Sequence, residues 1–147
     1  MNISHKLRRN IVGVFSNLLI LLFGYAAVTK LLTYNDSVSK LNDSPFIGDY
    51  ANFIGWFIPV AELVIVALLI VSRTVLMGFY ASLLLMTVFT AYIIAMLNYS
   101  YYIPCSCGGV ISMLTWEAHI YFNLFFIIIS IMGILLITKE NKENVAV

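Results

Sequence analysis

Residues 74–97 read TVLMGFYASLLLMTVFTAYIIAML, a run of 24 residues without one Asp, Glu, Lys or Arg. As an α-helix rising 1.5 Å per residue it is about 36 Å long. That exceeds the ~30 Å of a bilayer's hydrocarbon core. The whole chain has the same character. Its 147 residues are 62% hydrophobic and 10% charged, with a mean hydropathy of +0.98. Soluble domains are nearer 45–50% apolar and about 25% charged, so the composition is that of an integral membrane protein of one domain. A net charge of +1 argues against nucleic acid as a partner, because a duplex binder presents a basic surface.

Three further spans flank this run. Upstream, the tight connection Ser72–Arg73 leads back to a span from about Ala51 to Val71, which contains Pro59 and Glu62. Pro59 has no N–H for the Gly55 carbonyl, which predicts a kink. Before it, Thr33 to Asp49 is a polar connection. There Asn35 or Asp36 caps a short helix whose apolar side is Val38 and Leu41, and Pro45 limits its extent. The first span is Ile11 to Leu32, preceded by Lys6, Arg8 and Arg9. A cleavable signal peptide is the rival reading, but the run exceeds an h-region of ~7–15 residues and no clean small-x-small cleavage site follows, so a retained helix is expected. Downstream, Trp116 to Thr138 forms the last span, closed by Lys139, Glu140, Lys142 and Glu143.

The predicted fold is therefore an all-α membrane protein, a four-transmembrane-helix bundle with spans at about 11–32, 51–71, 74–97 and 116–138. Four spans place both termini on one side. Of the eight Lys and Arg, that side carries Lys6, Arg8, Arg9, Arg73, Lys139 and Lys142, and the other holds only Lys30 and Lys40. The positive-inside rule puts both termini in the cytoplasm and the connection after residue 97 on the outer face. Trp56, Tyr101, Tyr102, Trp116 and Tyr121 fall near that outer interface, as an aromatic belt does.

Polar residues inside the spans mark helix–helix faces, since the backbone must satisfy itself in lipid. His119, Asn123 and Ser130 share one face of the last span, with Gly133 close by. Gly78 and Ser82 form a small-xxx-small pair, and Asn17 and Gly24 lie seven apart on the first span. Packing is the plain reading of all three stripes. Glu62 is different: it lies roughly 16 Å into its helix, near mid-bilayer, where an ionisable group is costly and signals function. It can serve as a proton relay, touch a buried quinone or partner, or simply fix helix packing. Lys30 enters from the same outer face but higher, so a pair with Glu62 requires both side chains to stretch. Snorkelling of Lys30 to the outer interface is the expectation.

The sharpest local feature is Pro104–Cys105–Ser106–Cys107–Gly108–Gly109, which holds both cysteines of the chain. Buried thiols are usually inert small hydrophobes, but these lie in a polar connection. On an outer, oxidising face such a pair forms or exchanges disulfides. A disulfide across one intervening residue closes a very small ring far from relaxed geometry, so it is reducible, and it stabilises little by chain entropy. Cys105 and Cys107 thus read as a labile redox pair. A protonated His119 favours the thiolate of a nearby cysteine; its other reading is a bond to Asn123 or a neighbouring carbonyl. A soft-metal alternative joins Cys105 and Cys107 to His119 or Met113 around Cu(I) or Zn, though no second Cys-rich cluster supports it. Nucleophilic catalysis on a carbonyl has less support, as no orienting group or oxyanion hole is legible.

Taken in order, several stretches resemble the MauE/DoxX-like redox-associated membrane proteins. They are Gly24–Tyr25–Ala26–Ala27–Val28–Thr29–Lys30–Leu31–Leu32, Ser44–Pro45–Phe46, Ile58–Pro59–Val60–Ala61–Glu62–Leu63, the Pro104–Gly109 segment, and Trp116–Glu117–Ala118–His119 with Asn123. The resemblance covers about residues 10–138. It implies a four-helix protein of the bacterial inner membrane that helps a periplasmic thioredoxin-like partner form or sort disulfides, in the MauE branch during methylamine utilisation. Family patterns often read Cys-Gly-Cys-Phe-Gly; here Ser106 replaces the middle Gly and Gly108 stands in place of Phe. Reoxidation by a membrane quinone is one option for such a pair, as in disulfide-generating bundles of the DsbB or vitamin K epoxide reductase kind. Those relay through additional cysteines, which this chain lacks. The rival from another class is a non-enzymatic membrane subunit or carrier organised by Glu62, Lys30 and the polar helix faces.

Overall fold

The structure, a computed structural model, describes residues 5–43, 48–99 and 116–145. Over these residues the chain is helical. The elements are α1 (His5–Leu32), α2 (Tyr34–Asn42), a single 3-10 turn (Gly48–Tyr50), α3 (Ala51–Ile70), α4 (Val75–Tyr99) and α5 (Trp116–Val145). Four of them, α1, α3 with its preceding turn, α4 and Glu117–Lys139 of α5, are long and apolar enough to cross a membrane. They fall on the four apolar stretches of the sequence. α1 starts earlier than Ile11, at His5, so the basic segment is itself a helical turn.

The four long helices form a bundle. α1 packs most extensively against α3 and α4 against α5; α3–α4 and α1–α5 contacts close the ring, and α1 and α4 lie across it. The bundle is apolar on both sides of its wall. Leu19, Phe23, Ile65, Leu69, Phe79, Met86, Phe126, Ile129 and Ile134 fill the interior. Leu21, Leu84 and Leu135 instead point outward, each more than 60% exposed. Contiguous apolar exposure on this scale suits lipid rather than water.

Hydroxyls inside the wall are satisfied locally. Ser82 Oγ donates to the Gly78 carbonyl at 2.7 Å, Thr90 Oγ1 to Met86 at 2.7 Å and Ser130 Oγ to Phe126 at 2.9 Å. These bonds back to residue i−4 use the one donor of each hydroxyl within its own helix, so none leaves an unsatisfied hydrogen. Ser82 and Ser130 are fully buried, which fits the packing reading of these stripes. Gly133 is required sterically, because a Cβ there would run into the Phe79 ring. At Gly78 a Cβ would lie 2.8 Å from Leu69 Cδ2.

On α1 the expected Asn17–Gly24 stripe does not face a neighbour. Asn17 is exposed, and a Cβ on Gly24 would meet nothing within 4 Å. Ser16 takes the inward position instead, donating to the Leu69 carbonyl of α3 at 3.2 Å. One residue is a 100° turn of a helix, so neighbouring positions exchange inside for outside.

α2 folds against α3. Val38 and Leu41 are buried with Ala51, as its apolar side predicted, and the Tyr34 and Trp56 rings lie 5.9 Å apart. Its N-cap is Thr33 and not Asn35 or Asp36, with no side-chain capping bond. Thr33 Oγ1 bonds the Thr29 carbonyl at 2.9 Å, so the chain passes from α1 into α2 almost without a break. α3 runs unbroken through the buried Pro59. The turn into α4 is fastened by Thr74, whose Oγ1 donates to the Leu68 carbonyl at 3.0 Å and lies 3.2 Å from that of Val71.

Candidate functional site

The helix ring brings four polar side chains together from three of its members. Lys30 comes from the last turn of α1, Glu62 from the middle of α3, and His119 and Asn123 from the first two turns of α5. Glu62 is 2% exposed, Asn123 4% and His119 7%. Between them lies a cavity of about 60 Å³, completed by apolar side chains that include Phe23, Met86 and Phe89.

Lys30 corrects the sequence reading. It does not snorkel outward; its Nζ lies 2.5 Å from Glu62 Oε1 and 5.6 Å from the centre of the Phe89 ring. The physical reason is the carboxylate. An uncompensated ion within the hydrocarbon costs several kcal/mol, while a paired one recovers much of that through the short-range attraction. The Phe89 face adds a cation–π contact that no spacing rule in the sequence pointed to.

The pair does not exhaust Glu62. Its second oxygen, Oε2, is buried without a hydrogen-bond partner, and so is Asn123 Nδ2. Both residues line the same cavity. One is an acceptor and the other a donor, so they are complementary but unmatched. Buried polar atoms are nearly always bonded, and an exception points to something further. His119 lies one helical turn from Asn123 on the same face of α5 and lines the cavity with it.

For a metal the arrangement is poor. Among the described residues no three His, Cys, Asp or Glu gather, and Lys30 already neutralises Glu62. The soft-metal alternative drew on Cys105, Cys107 and Met113, which lie outside the described residues, as does the redox pair itself. Connectivity alone relates them to the cavity: the cysteines lie in the segment joining Tyr99 of α4 to Trp116 of α5, and His119 is three residues beyond Trp116.

Of the site residues singled out in the sequence, Glu62 and His119 thus converge on one cavity. Asn123, read there as a packing residue, shares it. Lys30, expected at the outer interface, joins them.

A family model described as methylamine utilisation protein MauE matches residues 8–136. No curated protein and no solved structure matches the chain.

Proposed function

The chain belongs to the MauE family of multi-pass membrane proteins, and on that footing we propose that it is a thiol–disulfide exchange protein of the bacterial inner membrane. It serves periplasmic proteins, with methylamine utilisation, named in the family's description, as its setting. The observation that carries this reading is the placement of the chain's two cysteines, Cys105 and Cys107, one residue apart between two spans. The excess of Lys and Arg on the opposite side supports an outer, oxidising location for them.

In the reaction a thiolate of a thioredoxin-like partner attacks the Cys105–Cys107 disulfide. One S–S bond breaks as a mixed disulfide forms, and the departing cysteine leaves as a thiolate that takes up a proton. The partner's second thiolate then displaces the mixed disulfide. The partner is left oxidised and the Cys105–Cys107 pair reduced by two electrons. A membrane quinone is the candidate oxidant that regenerates the pair, accepting two electrons and two protons.

Labelling intact cells with a large maleimide tests the proposal. Cys105 and Cys107 should be labelled after reductant and protected after oxidant, and a single state under both challenges removes the exchange reaction. With a thioredoxin-like partner that lacks its second cysteine, the mixed disulfide with the Cys105–Cys107 pair should accumulate, because the resolving thiolate is missing.

A second reading has its own observation, the buried Lys30–Glu62 pair beside unmatched polar atoms. There the protein is a non-enzymatic subunit or carrier and the cysteines are incidental. Replacing both cysteines with Ala separates the two. Full function in that variant favours the second reading, and Glu62→Gln then becomes the informative change.

A further inference from the structure

We propose that the cavity between Lys30, Glu62, His119 and Asn123 is a binding site for internal water, which bridges Glu62 Oε2 to Asn123 Nδ2 within the membrane-spanning bundle. The inference rests on the cavity and its lining and is independent of the thiol reading.

Size admits water. At about 60 Å³ the cavity has room for about two waters, each with a liquid volume of ~30 Å³. A small cation is disfavoured by Lys30, which lines the same space.

Chemistry agrees with size. The unmatched groups are one carboxylate oxygen, which accepts, and one amide NH₂, which donates. A single water satisfies both at once, giving a hydrogen to Glu62 Oε2 and receiving one from Asn123 Nδ2. Lys30 spends one of its three ammonium donors on Glu62 Oε1 and has others available to the same water. Internal waters typically make about three hydrogen bonds, and this lining supplies that number. A wholly apolar cavity would stay dry, but polar groups from α1, α3 and α5 meet in this one.

The consequence is chemical. Water at this position gives a mid-span carboxylate a proton-exchange partner besides Lys30. The seam between the α1–α3 pair and α5 is then wet, where the surrounding bundle is dry.

Solid-state NMR of the full-length ¹⁵N-labelled protein in lipid bilayers tests this. Magnetisation from water should reach the Asn123 side-chain amide, while the backbone amides of Phe126 and Ile129 on the same helix stay dark. In D₂O the Asn123 amide signal should be lost while those backbone signals persist. Ala26 lines the cavity without a polar side chain, so Ala26→Leu should fill it and abolish the transfer. The proposal is overturned if the wild-type Asn123 amide receives no magnetisation from water or remains protected in D₂O, a result that needs no variant to fold. It is equally overturned if a folded Ala26→Leu protein shows undiminished transfer, because water then reaches Asn123 by another route.

Discussion

The two halves of the bundle solve the same problem differently. Toward the α3–α4 turn, the helices interlock through small residues: Gly133 receives the Phe79 ring, Gly78 admits Leu69, and Ser16 bonds the Leu69 carbonyl. Hydroxyls in this part of the bundle, such as Ser82 and Ser130, bond back to their own helices. Toward the α4–α5 connection, the interior instead carries an ion pair, a histidine and two unmatched polar atoms around a cavity. The first half is packed for close approach. The second holds groups that packing alone does not need, in the half that also leads into the cysteine-bearing segment. The contrast is between a half whose hydroxyls are satisfied and one that leaves two polar atoms of its cavity lining unmatched.

The largest effect that would break the contrast comes from splitting the ion pair. Lys30→Met leaves the Glu62 carboxylate buried without its cation and should cost about 3–5 kcal/mol, read as the shift in reversible unfolding in mixed micelles. Combining Lys30→Met with Glu62→Met should restore most of that loss, because an apolar pair of similar volume is often neutral or better. A double variant as unstable as the single would mean that the pair itself holds the bundle together. Next in size is Gly133→Val, which forces a side chain onto the Phe79 ring and should destabilise by about 1–3 kcal/mol through overpacking. If its unfolding midpoint is unchanged, α4 and α5 do not approach as closely as described.

The smallest prediction sharpens the phase of α1. Ser16→Ala should cost about 0.6 kcal/mol, the usual scale of an interhelical hydrogen bond in membranes. Asn17→Ala, on the exposed side, should not lower stability. The reverse order would rotate α1 by one residue.

Much of this architecture is legible before any coordinates. Glu62 stands out because a carboxylate in mid-span has few excuses. The face of His119, Asn123 and Ser130 follows from helical spacing on α5, and all three are buried. The short amphipathic α2 is legible too, since it lies in a polar segment where an apolar side is a contrast. The direction of Lys30 is not. A lysine in the last turn of a span reaches the interface or the interior with equal ease, and only a carboxylate on another helix settles which. That Ser16, rather than Asn17, faces α3 is illegible for a related reason. Periodicity reveals a buried face when the other face is polar, and here lipid and core are equally apolar, so the rotation of α1 leaves no imprint on its pattern.

By itself, then, the sequence determined the class of protein. Run lengths against bilayer thickness, together with the obligation of every backbone group to bond within the chain, require helices that span. It also singled out the residues costly enough to need a purpose. The tertiary structure decided which of those costs are shared: it turned Lys30 inward to Glu62, set His119 and Asn123 on the same cavity, and left one donor and one acceptor unmatched among its lining residues. Spanning is a one-dimensional property of each segment. Partnership between charges depends on the rotation and depth of two helices at once, and nothing in either helix alone records that.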